Sequence, residues 1–363
     1  MPKATNKPNG LKMQTSKLII LLTSLLLASS ANAQSTDLRT YFIGNSLSND
    51  LVGVGGFEQL ASSNFDGTVL ASQHIQCSTP LTGIIASSID EPDVIHTCAN
   101  PASLAGADFN LGRYPAALSN PIDVLIIQPF QEATFQEEIA SAKTIIDQFR
   151  SNPDNADSQI FIYQTWDLRR STDDFLEDWN NRLPVLDEEF RPSRATYELF
   201  FSTLRSDGYD FEVIPAGDAF VTVAEALQNG AIGNVTDATD LFRDFIHGSN
   251  AGRYLASLVA AQVITGESAL DVPDADQFEA YLRSNHRLVP DAEAAEALRR
   301  IASNTANGFI LGDCNRDGSV DSLDISTFVS FLTTGGFIEE ADFDYNGSVN
   351  FVDISPFVRA LSQ

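Results

Sequence analysis

Beyond about residue 37 the chain alternates short apolar runs with longer amphipathic stretches. The runs "RTYFIGN" (39–45), "TVLASQHI" (68–75), "IDVLIIQP" (122–129), "QIFIYQTW" (159–166) and "DFEVIPAG" (210–217) predict five strands. Several are apolar at consecutive positions, as in strands covered on both faces of a parallel sheet. Between them, "QEEIASAKTIIDQFR" (136–150) and "PSRATYELFFSTLRSDG" (192–208) have helical spacing, and the second closes on a glycine stop. This order predicts an α/β fold, a three-layer doubly wound parallel sheet, with its site beyond the carboxyl ends of the strands. The first run ends in Gly44-Asn45-Ser46, which puts Ser46 at that edge.

The two ends of the chain read differently. Lys3, Lys7, Lys12 and Lys17 lead into "LIILLTSLLLA" (18–28), and "ANA" follows at 31–33. This is the pattern of an export signal over residues 1–33, with an apolar stretch too short to span a bilayer comfortably. The expected location is secreted, periplasmic or at the cell surface, with no membrane span after signal removal. Residues 34–305 form the α/β unit, 306–310 a short linker, and 311–363 a second unit built from two similar halves.

With the signal removed, 18 basic residues face 49 acidic ones, a net charge of −31. Such a surface repels phosphate backbones and anionic lipid, which argues against nucleic acid as a partner. An exported chain can oxidise Cys77 and Cys98, and we expect them to be bridged; Cys314 has no obvious partner.

Ser46 becomes a nucleophile only with a base to take its proton. Of the four histidines, His74, His96 and His286 read as structural or solvated. His247 stands in "LFRDFIHGSNAGRYLASLVAAQVITG", in a loop after the last strand and before a long helix. Asp244, three residues earlier, can hold the imidazole in the tautomer that accepts the serine proton. Gly-Asn-Ser after the first strand, with Asp-x-x-His after the fifth, resembles the SGNH (GDSL-type) hydrolases over residues 37–270. The resemblance implies Ser46 as nucleophile, His247 as general base and then acid, and Asp244 as its orienting carboxylate.

It also implies an oxyanion hole made of the Ser46 N–H, a glycine N–H after the second strand and an asparagine amide after the third. Here "QCSTPL" puts Ser78 where the glycine is expected, and "IIQPF" offers Gln128 for the asparagine. A lost oxyanion donor costs roughly 10²–10³ in rate, so these departures bear directly on activity. Gln164 and Trp166, at the end of the fourth run, are open to two roles: lining the cleft, or buried support.

The C-terminal halves repeat at an offset of 29 residues, "DCNRDGSVDSLDIS" from Asp313 and "DFDYNGSVNFVDIS" from Asp342. Oxygen-bearing side chains recur at loop positions 1, 3, 5, 9 and 12, with glycine at 6, a register that wraps Ca²⁺. The expected ligands are Asp313, Asn315, Asp317, Ser319 (main chain), Asp321 and Asp324, then Asp342, Asp344, Asn346, Ser348 (main chain), Asn350 and Asp353. Each loop precedes one helix with an apolar stripe, Ile325, Phe328, Val329, Leu332 and Ile354, Phe357, Val358, Leu361. This resembles a type I dockerin, which implies two structural calcium ions and a protein or surface partner. Loop positions 10 and 11, through which such modules read a cohesin, are Ser322-Leu323 and Phe351-Val352, more apolar than usual.

Taken together, the sequence predicts an exported serine esterase acting on an ester, such as an acetyl or acyl group on carbohydrate, with a calcium-binding anchoring module and no cofactor for catalysis. The competing expectation is a calcium-dependent binding or scaffold protein whose α/β unit has lost catalysis.

Overall fold

Five strands, β1 (Leu38–Gly44), β2 (Val69–Ile75), β3 (Val124–Ile127), β4 (Gln159–Tyr163) and β5 (Glu212–Ile214), make one parallel sheet in the order β2-β1-β3-β4-β5. The computed structural model describes residues 37–53, 56–90, 110–272 and 288–362. The expected export signal, Cys98, His96 and His286 lie outside these residues. Among the described residues no helix is long and apolar enough to cross a membrane.

The helices are α1 (Phe57–Asn64), α2 (Leu81–Asp90), α3 (Phe135–Arg150), α4 (Thr172–Asn181), α5 (Arg194–Ser206), α6 (Ala216–Leu227), α7 (Asn250–Thr265), α8 (Ala292–Ala306), α9 (Asp324–Thr334) and α10 (Ile354–Ala360). The crossover from β1 to β2 runs opposite to those from β3 to β4 and β4 to β5. Right-handed connections therefore put α1 on one face and α3 and α5 on the other. α6, α7 and α8 pack with one another and with α1, while α2 packs on α3, so the sheet is covered on both sides. Burial follows: Val124 to Ile127 and Ile160 to Tyr163 are all at most 3% exposed, which is why those runs lack polar alternation.

The strand order reverses between β1 and β3. In an open α/β sheet this opens a crevice beyond the strand ends, where neighbouring connections leave in opposite directions. Asn45 and Ser46 leave β1 there, beside Gln128 leaving β3.

The C-terminal region has its own small core of Cys314, Phe328, Ala341, Phe343, Val349 and Phe357. Phe328 and Phe357 stack at 4.1 Å between ring centres and join α9 to α10. The expected stripes are only partly buried, since Ile325, Val329 and Val358 face solvent. Phe331, Leu332, Ile354, Ala360 and Leu361 pack around that core only partly buried.

Candidate functional site

The first part of the site is the turn leaving β1. Gln76 N–H donates to Gly44 O at 3.0 Å and Gln128 N–H to Ile43 O at 2.9 Å, which holds the three strand ends level. Asn45 is extended, and its Oδ1 accepts the Leu47 N–H at 3.0 Å, capping a single helical turn, Ser46–Ser48. Ser46 is thus the first residue of a turn at the switch point, largely buried.

Gln128 reaches this turn through its carbonyl. Its Oε1 accepts the N–H groups of Asn45 (3.1 Å) and Ser48 (3.2 Å) and the Ser48 hydroxyl (2.9 Å), and two backbone donors fix which end of the amide points there. The amide nitrogen donates to Pro129 O at 3.2 Å. These bonds anchor the serine turn, and in this structure the amide nitrogen expected at an oxyanion is turned to Pro129 O. If the α/β unit is the serine hydrolase that the sequence predicts, Gln128→Ala is expected to lower kcat more than it raises KM. An unchanged rate in Gln128→Ala would leave the amide neither an anchor of the turn nor an oxyanion donor.

Gly44 is required by close approach. A Cβ there would be driven into the Ser48 hydroxyl, 2.8 Å from Gln128 Oε1 and 2.9 Å from Gln128 Cβ. Gly44→Ala should therefore displace the turn that carries Ser46 and cost about 1–3 kcal/mol of stability in a denaturant titration.

The second part is the loop before α7. It is closed by a Phe242–Gly248 bridge and by Arg243 N–H donating to His247 O at 2.9 Å. Asp244 Oδ1 accepts the N–H groups of Ile246 (3.0 Å) and His247 (2.9 Å), and its two oxygens lie 3.0 and 2.9 Å from His247 Nδ1. With Asp244 accepting, Nδ1 carries the hydrogen and Nε2 is left as the basic nitrogen. Burial pushes the Asp244 pKa up, but it is outweighed by the backbone N–H groups of His247 and Ile246 and by the imidazole, so the carboxyl sits below its ordinary range. The stability it contributes is therefore present at neutral pH and is lost only as pH falls through that depressed value.

The end of β4 carries this loop. Trp166 Nε1–H donates to Ile246 O at 2.7 Å and Arg169 N–H to Phe245 O at 2.8 Å. Trp166 is fully buried and stacked on Phe220 at 4.1 Å, and Gln164 exchanges hydrogen bonds with Asp218. Of the two roles open to Gln164 and Trp166, the structure gives both of them buried support. Phe245 is 66% exposed with its ring 6.3 Å from that of His247.

One residue joins the two parts. Asp50, four positions past Ser46 and 1% exposed, accepts the Gly248 N–H through Oδ2 at 2.9 Å. Its Oδ1 lies 2.7 Å from Arg253 Nη2, 3.2 Å from Arg253 Nε and 3.4 Å from Arg243 Nη2. Burial lowers the Arg253 pKa, and Asp50 acts against it. The pair joins positions about 200 residues apart, which spacing does not reveal, although Arg253 is the lone charge in the otherwise uncharged helix 250–265. A buried guanidinium needs an acid partner, and that was the available signal.

Ser78 follows β2 with φ +52°, the left-handed region that favours glycine. Among the described residues, neither the Ser46 nor the Ser78 N–H donates to a protein acceptor. Behind them the buried Glu138 accepts N–H groups from Phe130 (2.9 Å) and Thr82 (3.4 Å), tying the loops after β2 and β3 together. Burial pushes its pKa up to about 8 against those donors. His74 is buried and accepts the Tyr114 N–H at Nδ1, a structural role. Cys77 is disulfide-bonded, with Cys98 outside the described residues. Cys314 is a free, buried thiol pushed up to about 12 by burial.

The two C-terminal loops have matching internal geometry. Asp313 accepts the N–H groups of Asp317 and Gly318, and Asp342 those of Asn346 and Gly347. Asp324 closes the first loop on Asn315 and Asp321, as Asp353 closes the second on Phe343 and Asn350. Gly318 and Gly347 take φ +90° and +83° at position 6. In the second loop one oxygen each of Asp342, Asp344 and Asp353 falls within 4.8 Å of the others. Burial first, then the neighbouring carboxylates, raise Asp342 to about 7. Carboxylates gathered at the cost of mutual repulsion, with oxygen-only donors, fit a hard divalent cation.

Residues 311–362 match the dockerin type I domain, so the chain carries a dockerin type I domain at its C-terminus. Such domains bind Ca²⁺ and mediate binding to cohesins. No curated protein matches the chain. Among solved structures, it is similar to a DUF4886 family protein from Bacteroides uniformis ATCC 8492, at 16% identity with a TM-score of 0.48, covering 74% of this chain and 95% of that one.

Proposed function

We propose that the α/β unit is an SGNH-type serine ester hydrolase, exported and held on a partner or surface by its dockerin domain. The observation that carries this reading is the Asp244–His247 pair, oriented through Nδ1, in a loop hydrogen-bonded to Asp50 of the Ser46 segment. In this reading His247 Nε2 takes the Ser46 proton as Oγ attacks the ester carbonyl. The proton then passes to the departing alkoxide, leaving an acyl-serine. Water, deprotonated by the same nitrogen, attacks the acyl carbon and releases the carboxylic acid and Ser46. The unengaged N–H groups of Ser46 and Ser78 are the proposed oxyanion donors. An acetyl or acyl ester on carbohydrate is the proposed substrate class, by analogy with the polysaccharide setting of dockerin modules.

A fluorophosphonate probe tests the reading. We expect stoichiometric labelling of Ser46, abolished in His247→Ala. An unlabelled wild-type protein would leave the α/β unit as a binding or scaffold module.

Both C-terminal loops are read as calcium sites. Asp313, Asp317, Asp321 and Asp324, with Asn315 and the Ser319 carbonyl, would hold one ion; Asp342, Asp344, Asp353, Asn346, Asn350 and the Ser348 carbonyl would hold the other. Leu323, Phe351 and Val352, at loop positions 10 and 11, are 64%, 82% and 50% exposed, which suits a protein partner. Removal of Ca²⁺ should melt α9 and α10, seen as a loss of helical circular dichroism matching Asp313→Ala with Asp342→Ala. Hydrolysis at 25 °C should survive it, and a rate that collapsed with chelator would show that catalysis depends on the module.

A further inference from the structure

The two calcium loops match internally but differ at position 4, where both backbones are left-handed: Arg316 has φ +59° and Tyr345 φ +57°. Arg316 turns back within the module, pairing with Glu340 at 2.6 Å, and its side chain is 59% exposed. Tyr345 is 3% exposed, belongs to the core of the α/β unit and hydrogen-bonds Asn304 of α8. Around it, Asn229 donates to Phe343 O at 3.4 Å and bonds Arg359 of α10. Arg300 of α8 pairs with Glu339 at 3.1 Å, and its guanidinium lies 3.4 Å from where a Cβ on Gly347 would stand. A cleft of about 760 Å³ runs along the rest of this junction, so the docking depends on few contacts.

We infer that the second loop is a calcium-dependent docking element: the α/β unit offers α8 and the end of α6 as a built seat for Tyr345, and calcium at the second loop and seating of the module stabilise each other. The first loop reaches this junction through Val320, which lines the cleft, and not through its position-4 residue. The physical link is short. Tyr345 lies between Asp344 and Asn346, so the backbone that aims the ring into the α/β core also places two ligands. The carboxylates of the second loop repel one another, and a cation that gathers them holds Tyr345 in its left-handed conformation. By linkage, the seat must then raise calcium affinity at this loop by the factor by which calcium tightens the seat, and such couplings run to roughly 5–150-fold.

The inference rests on the second loop being a calcium site and not on the esterase reading. The test uses the full chain, with CaCl₂ titrated into chelator-stripped protein in a calorimeter, and with melting followed by tryptophan fluorescence. Trp166 and Trp179 are the only tryptophans and both lie in the α/β unit, so the melt reports that unit alone. Tyr345→Asn keeps a residue that tolerates φ near +57° and removes the ring. It should weaken calcium about tenfold at the second loop, identified as the step missing in Asp342→Ala, and leave the other step unchanged. Calcium should raise the wild-type tryptophan melt; that shift should persist in Asp313→Ala and vanish in Asp342→Ala and Tyr345→Asn. Arg300→Ala, on the α/β side, should reduce both effects without touching the loop. Calcium binding with no tryptophan shift, or unchanged second-loop affinity in both Tyr345→Asn and Arg300→Ala, overturns the inference and leaves the calcium sites standing. No calcium binding at all would overturn both.

Discussion

If the α/β unit is the proposed ester hydrolase, Ser46→Ala and His247→Ala are each expected to reduce kcat for p-nitrophenyl acetate by on the order of 10⁴–10⁶, because nucleophile and base would act as one unit and removal of either would disable acyl transfer. The double variant should be no worse than either single one. Asp244→Asn should lose about 10⁴, since an amide in place of the acceptor at Nδ1 favours the tautomer whose Nε2 carries a hydrogen and cannot take the serine proton. Ser46→Ala should melt near the wild type, whereas Asp244→Asn should melt somewhat lower because it loses the charge that holds the His247 loop. Equal rates in wild type and Ser46→Ala would end the nucleophile assignment.

The second large effect is expected at Asp50. Asp50→Ala leaves the Arg253 guanidinium, with a side chain fully buried, without its closest carboxylate, and breaking such a buried pair costs about 3–5 kcal/mol. At roughly 2–4 °C per kcal/mol for a unit of this size, the tryptophan melt should fall by about 6–20 °C. Hydrolysis should fall as well, because Gly248 loses the acceptor that ties the His247 loop to the Ser46 segment. Asp50→Leu combined with Arg253→Met removes both charges and should recover much of the melting temperature. It should not recover the rate, since Gly248 N–H still lacks a partner. A double variant that regained activity would make Asp50 a residue of stability alone.

Much of the architecture could be read from local pattern. Consecutive apolar positions in 122–129 and 159–166 require cover on both faces, and β3 and β4 fall within those runs. The repeat at an offset of 29 residues shows in the oxygen-bearing residues, because each calcium loop is a local object whose ligands lie within twelve positions. Asp244 and His247 are three residues apart and also meet locally. Residues far apart in sequence were less legible. Gln128 was placed correctly at the end of β3, but which end of its amide meets Asn45 and Ser48 depends on a packing between positions 80 and more residues apart.

The sequence by itself therefore determined the periodic elements, the C-terminal dockerin repeat and the contacts between residues close in sequence, since periodicity and spacing act through neighbouring residues. Tertiary structure alone decided the rest. It set the strand order that puts Ser46 at the switch point, joined Asp50 to Gly248 and Arg253 across about 200 residues, and turned Trp166 into a support for the histidine loop. It also distinguished Tyr345 from Arg316, two residues at the same position of matching loops, by seating only the first in the α/β core. The physical reason is common to these cases. A buried polar or charged group must find its partner wherever the fold brings one, and the residue's own stretch of chain does not say where that is.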